Sequence, residues 1–189
     1  MVTKKACATP LALLGIFVGA MLPLAFAVAI AADGTWTFNV NTLSDLGISS
    51  SQVAADIFNY SCIIGGVLVA AFGFGKFLIK DGKDAASGLF LAATGVLFMA
   101  VGIITKDSLS LHIAIAVMGG LTLLIGAFIG TISDWSHGRQ ITASVGAIAV
   151  TLSVATFFGL AFPGFEVVSI ISGLIWLIAE GASLAFSKD

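Results

Sequence analysis

Charged side chains are scarce in this chain. Asp, Glu, Lys and Arg make up 10% of its 189 residues, whereas hydrophobic residues make up 59%. A soluble domain has roughly 25% charged residues, so a water-soluble fold of this sequence would have too few polar side chains to cover its surface. The net charge is −2 and no run of Lys or Arg occurs. We therefore expect no nucleic-acid partner.

Catalytic and metal-binding motifs are also missing. The two histidines, His112 and His137, cannot supply a three-His metal site. There is no H-E-x-x-H, no Gly-Lys-Ser/Thr phosphate loop and no G-x-S-x-G elbow. We expect neither a metal nor a cofactor and assign no catalytic residue, and the sequence leaves open whether the protein is an enzyme. Cys7 and Cys62 fall at opposite membrane depths in the topology below, so we expect no disulfide between them.

The sequence consists mainly of long apolar runs. Several exceed the ~18–20 residues that cross the ~30 Å hydrocarbon layer as a helix, and they lack the short alternating pattern of barrel strands. The predicted fold is all-α, a compact bundle of six transmembrane helices in one domain over residues 1–189. The first run is longer than the ~7–15 residues of a secretion-signal core, so we interpret it as a retained span. The predicted spans are 9–32, 54–79, 85–105, 109–132, 140–162 and 165–187.

Basic residues predict the orientation. With six spans both termini lie on one side, and Lys106 is alone on the other side. Cytoplasmic loops carry the excess of Lys and Arg. We therefore predict a multi-pass protein of the cell membrane with cytoplasmic N and C termini and an extracytoplasmic cap loop over residues 33–53. The basic residues on the predicted cytoplasmic side are Lys4, Lys5, Lys76, Lys80, Lys83, Arg139 and Lys188.

Glycine is abundant, with 22 residues. Many recur at intervals of seven, which keeps them on nearly one helical face. Small residues on one face let helices approach closely in lipid. We expect tight packing of helices two to four. Membrane lipid is the expected partner, and the glycine faces are also suited to contacts between copies of the chain in a homo-oligomer. The periodic glycines are Gly66, Gly73, Gly88, Gly95, Gly102, Gly119 and Gly126.

Polar residues predicted at the outer side form a candidate site. The run LSDLG predicts a short helical turn that glycine stops at Gly47. Asp56 and Asn59 share a face of the second helix, and His112 lies one turn into the fourth. These groups either stabilise helix starts and pin the cap, which we favour, or line a polar chamber with an acid, base or ion ligand. The candidate outer polar site contains Ser44, Asp45, Asp56, Asn59, His112 and Glu166.

Glu180 is the candidate intramembrane acid. It belongs to a polar stripe on the sixth helix and lies roughly 20 Å from Glu166 along that helix. We favour hydrogen bonding of Glu180 to a hydroxyl on the weakly polar face of helix five, which carries Thr142, Ser153 and Thr156. The alternative is a role in a proton path.

Two short runs are distinctive in this sequence, LSDLG at 43–47 and IFNYS at 57–61. They are followed by Gly65, Gly66, His112, Glu166 and Trp176. With these residues the sequence resembles the family named domain of unknown function 998. The resemblance covers nearly the whole chain and implies a six-helix membrane protein of bacteria and archaea, distantly related to Frag/DRAM-type proteins. It brings no established activity, and it marks Ser44, Asp45, Gly47, Asn59 and His112 without giving any of them a role.

Three functions are compatible with these patterns. We favour a non-enzymatic structural or lipid-interacting bundle, because catalytic motifs are missing and the polar residues can be explained as caps and bundle contacts. An intramembrane enzyme or lipid-binding protein would use the outer polar site. A small transporter or channel would use Glu166 and Glu180, and it would need a hydrated route between them.

Overall fold

The computed structural model describes residues 4–186, with side chains from residue 8 onwards. Lys188 and the side chains of Lys4, Lys5 and Cys7 lie outside this range. The described chain is helical and has no strand, and six of its helices are long and apolar enough to cross a membrane. The predicted fold class, an all-α bundle of six membrane-spanning helices, is confirmed. The helices are α1 (Lys4–Asp33), α2 (Gln52–Ile79), α3 (Gly82–Ile103), α4 (Leu109–Ser136), α5 (Gln140–Gly159) and α6 (Phe162–Phe186).

The helix ends differ from the expected spans by a few residues. Helix α4 continues to Ser136, four residues beyond the apolar run, and α5 ends at Gly159. Helix α6 begins at Phe162, so Pro163 lies inside its first turn and does not break the chain before it. Proline is tolerated there because a backbone N–H in the first turn has no partner within the helix.

The helices pack in a ring that follows their order in the chain. Each helix contacts the next one, and α6 closes the ring against α1. Inward-facing apolar side chains fill the centre, including Leu22 and Phe26 of α1, Phe72 of α2 and Trp176 of α6. Helix α1 therefore contributes to the core of the bundle.

Glycines bring α2 and α3 into backbone contact. A Cβ atom on Gly73 would lie 2.6 Å from the carbonyl oxygen of Gly88, and one on Gly66 would lie 2.6 Å from that of Gly95. The periodic glycines of α4 are less crowded, since the nearest atom would lie 3.5 Å from a Cβ on Gly119 and 3.2 Å from a Cβ on Gly126. The expected close approach is therefore tightest between α2 and α3, and α4 packs less closely against α3.

The connections separate two ends of the bundle. We call the end that carries residues 34–51, 104–108 and 160–161 the capped end, and the end that carries residues 80–81 and 137–139 the opposite end. Both ends of the described chain lie at the opposite end. A 3-10 helix, Leu43–Ile48, which we call the cap helix, contacts α1, α2 and α6 at the capped end.

Candidate functional site

The cap helix forms because its apolar side chains follow the three-residue repeat of a 3-10 helix. Leu43 and Leu46 are buried against the bundle. Its start is closed by a capping box in which the Asp45 side chain accepts a hydrogen bond from the backbone N–H of Thr42 at 2.7 Å. The predicted turn is present, although it continues past Gly47 to Ile48.

An ion pair fixes the cap helix to the loop between α3 and α4. Lys106 Nζ lies 2.5 Å from Asp45 Oδ1 and also donates to Thr42 Oγ1. Partial burial of Asp45 raises its pKa, but the hydrogen bonds from Lys106 and Thr42 outweigh burial and lower the pKa below its ordinary value. Asp45 is therefore ionised at neutral pH and holds two connections together.

Glu166 joins the cap helix to α6. Its Oε2 accepts a hydrogen bond from the backbone N–H of Leu43 at 2.8 Å. That N–H is at the start of the cap helix, where no carbonyl of the same helix can accept it. Glu166 therefore acts as a side-chain cap contributed by a residue 123 positions away.

Asn59 and His112 also bind backbone atoms of the connections. Asn59 Nδ2 donates to the carbonyl of Gly47 at 2.9 Å, and His112 Nδ1 lies 2.5 Å from the carbonyl of Ile104. This contact assigns the proton of a neutral imidazole to Nδ1. His112 is only 2% exposed. Its Nε2 and the Oδ1 of Asn59 have no hydrogen-bond partner in the described chain.

Asp56 does not join the other candidate residues. It is exposed, and its Oδ1 accepts a hydrogen bond from Gln52 Nε2 at 2.8 Å. The helical spacing predicted a face shared with Asn59, but Asn59 points to the cap helix while Asp56 lies at the surface. Ser44 is buried and bonds to Thr42. Ser44, Asp45 and Glu166 thus meet at the start of the cap helix, where the Ser44 side chain also bonds to Glu166. Asn59 and His112 bind carbonyl groups elsewhere in the connections.

A second polar cluster lies at the opposite end. Lys76 Nζ of α2 is 2.6 Å from Glu180 Oε2 of α6, and the two residues are 3% and 4% exposed. Lys76 is also 3.4 Å from Ser87 Oγ, which donates to the carbonyl of Gly126 on α4 at 3.0 Å. The expected hydroxyl partner of Glu180 on α5 is therefore a wrong prediction, because an ammonium group from α2 occupies that role.

Arg139 binds two further carboxylates of this cluster. Its Nη2 lies 2.7 and 2.8 Å from the two oxygens of Asp84, and its Nε lies 2.6 Å from Asp134 Oδ1. Partial burial lowers the pKa of Arg139, but the hydrogen bonds to Asp134 and Asp84 raise it above its ordinary value. We call Lys76, Asp84, Asp134, Arg139 and Glu180 the buried charge cluster.

A narrow recess reaches the buried charge cluster from the opposite end. It has room on the order of a single water molecule. In the part of the chain that the structure describes, no group of three or more His, Cys, Asp or Glu is arranged to hold a metal ion. The recess is lined by Phe72, Lys76, Lys80, Asp84, Arg139, Glu180, Ser183 and Leu184.

Comparison with known families agrees with this architecture. A family model described as "Protein of unknown function (DUF998)" matches residues 13–183. The chain belongs to the DUF998 family. No curated protein and no solved structure matches it. The match reaches from α1 into α6, so the cap helix and the buried charge cluster both lie within the DUF998 region.

Sequence reasoning missed most of the buried charge cluster of this DUF998 protein. In the sequence, Lys76 and Arg139 indicate only the predicted cytoplasmic side, and no pattern assigns a role in this cluster to Asp84 or Asp134. One signal is present, because Lys76 lies three residues before the end of a predicted span and a lysine inside an apolar run needs a partner. Its partner could not be read from the local sequence.

Proposed function

We propose that this DUF998 protein is a non-enzymatic, lipid-interacting bundle whose polar residues at the capped end hold the cap in place. One observation carries this proposal. Asp45, Glu166, Asn59 and His112 each bind a backbone or side-chain group of the connections. A catalytic or headgroup site would instead direct several such groups at one point.

The distribution of basic residues supports the proposed orientation. Lys80 and Lys83 lie at the opposite end, whereas Lys106 is the one basic residue at the capped end among those described. The rule that places basic loops in the cytoplasm counts Lys and Arg and is insensitive to nearby acids. We therefore assign the capped end to the extracytoplasmic side of the cell membrane and both termini to the cytoplasm.

The lipid contact that we propose is with acyl chains. Large apolar side chains are exposed all around the bundle at the depth of the spans, among them Leu24, Phe128 and Ile175. An apolar groove between α2, α3 and α4 is lined mainly by Phe74, Leu89, Phe90 and Val96, and the hydroxyl of Thr122 at this groove donates to the carbonyl of Gly119. Because these side chains offer no partner for a polar headgroup, the contact would depend on chain packing and not on headgroup chemistry.

The tightly packed centre favours a static bundle and argues against a channel. Glu166 and Glu180 lie roughly 20 Å apart on α6. Between them, Gly173 fits against Leu123, and Trp176 is completely buried. A continuous water route past these side chains would require the helices to separate.

Native mass spectrometry of the purified protein with its retained lipids tests the proposal. We expect Asp45→Asn and His112→Ala to lower thermal stability without changing which lipid headgroups are retained, because both residues bind the cap. Asp107→Asn is the matched control, since Asp107 is exposed and bonds only to nearby Thr105 in the same loop.

The opposite result would favour a binding site or an enzyme. If wild-type protein retains one headgroup class, and Asp45→Asn or His112→Ala removes it while the melting temperature stays unchanged, the capped end binds a ligand. This result would contradict the proposal and favour an enzyme or lipid-binding protein that uses the outer polar site.

A further inference from the structure

The buried charge cluster has one more acid than base. Asp84, Asp134 and Glu180 form ion pairs with Lys76 and Arg139, so these five side chains together carry a charge of −1 when all are ionised. Four of the five side chains are buried, and Asp134 is 0% exposed. An uncompensated charge is costly at such a place because water cannot solvate it.

Two carboxylate oxygens mark where the excess charge lies. Asp134 Oδ2 and Glu180 Oε1 are buried and have no hydrogen-bond partner in the described chain, although the other oxygen of each carboxylate is paired. Glu180 Oε1 lies against Gly130, 3.1 Å from the place of a Cβ atom, and Gly130 precedes Asp134 by one turn of α4. Glu180 Oε1 and Asp134 thus lie at successive turns of α4, where two negative charges repel each other.

A proton fits this place better than a metal cation. Na⁺ and larger cations need several oxygen ligands, whereas a proton needs one oxygen. The ammonium of Lys76, 2.6 Å from Glu180 Oε2, would also repel a metal cation. We propose that the buried charge cluster is a proton-binding site, in which Asp134 and Glu180 together hold one proton at neutral pH.

The proton is taken from water at the opposite end, through the recess that Lys80 and Ser183 line. A hydronium ion gives H⁺ to a free carboxylate oxygen and leaves as water, and the cluster changes from −1 to 0. Among the described side chains, Lys80 also lines this recess and is partly exposed, α5 has no titratable group, and α1 has only Asp33, at the capped end. His137 is exposed and bonds to the carbonyl of Ser133.

Infrared spectroscopy of the protein in lipid nanodiscs tests this site directly, since a protonated carboxyl and a carboxylate absorb at different frequencies. Glu166→Gln serves as the background, so that Glu180 is the only glutamate left. At neutral pH we expect a carboxylic-acid band whose intensity corresponds to one protonated carboxyl group per protein. Either Asp134→Asn or Glu180→Gln should remove it, because each amide deletes the uncompensated charge.

A charge-balance variant gives the sharpest result. Lys76→Met deletes one positive charge, so the cluster should take up a second proton and the acid band should double. Lys83→Met is the matched control because Lys83 is exposed at the same end, and it should leave the band unchanged. A role of Lys76 in folding alone would not increase the number of protonated carboxyls.

Three outcomes would overturn the proposal. One is that the Glu166→Gln protein, which keeps the cluster intact, lacks the acid band at neutral pH. Another is an acid band that is still present in the Asp134→Asn variant and in the Glu180→Gln variant. The third is a band that is absent in sodium chloride but appears when choline replaces sodium, because a bound metal cation would then balance the charge.

Discussion

Lys106 shows how a single side chain can hold a loop on a membrane bundle. Its ammonium group binds both Asp45 and Thr42 of the cap, and the Asp45 carboxylate caps the start of the cap helix. The pair is partly exposed, so water and salt weaken it, and its contribution is about 0.2–1 kcal/mol. The interaction matters for position more than for overall stability.

The ionisation of Asp45 predicts a pH dependence. Its pKa is lower in the folded protein than in the unfolded chain, so its contribution to stability is complete above the unfolded pKa. The contribution is lost as the pH falls below about 4 and passes through the lower, folded pKa. We expect Asp45→Asn to melt at a lower temperature than wild type at neutral pH, and the difference to shrink on acidification. Thermal unfolding in detergent measures both.

Asp107→Asn provides the comparison for this titration, because Asp107 is exposed in the neighbouring loop and its carboxylate accepts a hydrogen bond from Thr105 of the same loop. It should keep the wild-type dependence on pH. A difference between wild type and Asp45→Asn that grows on acidification would contradict the ion pair as the source of the effect.

Among the helices, α2 and α3 form the closest pair. Their glycines face each other, so carbonyl oxygens of one helix lie where side chains of the other would be. In lipid, where apolar surfaces gain little by leaving the solvent, such close packing is a main source of association between helices. The seven-residue glycine repeat identified this contact because both helices carry it.

A methyl group on Gly73 should force these two helices apart. Its Cβ would lie 2.6 Å from the carbonyl oxygen of Gly88, and backbone atoms cannot rotate away. We expect Gly73→Ala to cost about 1–3 kcal/mol, which corresponds to a melting temperature lower by roughly 2–12 °C. Thermal unfolding in detergent is the measurement.

Gly120→Ala is the matched control on α4. A Cβ there meets nothing within 4 Å, so the substitution should be neutral or stabilise the helix by about 0.5–1 kcal/mol. Equal melting temperatures for Gly73→Ala and wild type would show that α2 and α3 can separate without cost.

Most other helical glycines contact neighbours within the chain, and we propose that any homo-oligomer uses the more open face of α4 at Gly119 and Gly120.

The bundle as a whole is polar at both ends and apolar between them. Its proposed orientation predicts the reactivity of single cysteines in a Cys7→Ser background, in which Cys62 is buried and unreactive. Ser50→Cys, at the capped end, should react with an impermeant thiol reagent in intact cells. Lys83→Cys should react only after the membrane is opened. Both positions are exposed in the fold, so burial cannot cause the difference.

The background protein without an added cysteine gives the baseline for this labelling, and opened membranes confirm that each cysteine can react. Labelling of Lys83→Cys in intact cells, together with protection of Ser50→Cys, would reverse the orientation. The proton-binding recess would then face the outside.

The sequence also predicted part of the candidate site. The LSDLG run indicated the helical turn of the cap, because a three-residue apolar repeat and a capping acid are local features. The helical repeat placed Asp56 beside Asn59, but it could not reveal that only Asn59 meets the cap helix. That outcome depends on where the chain returns after α1, which local spacing does not encode.

Hydropathy along the chain was enough to determine the six helices of this protein. Crossing a bilayer requires about 20 apolar residues in a row, which is a property of each segment alone. Only the tertiary structure decided that Lys76 pairs with Glu180, 104 positions away, and that Arg139 joins Asp84 to Asp134. These residues come from four helices and one connection, and they meet because α6 closes the ring of helices on α1. Buried charges find partners through the packing of helix faces, and no single segment of sequence contains that information.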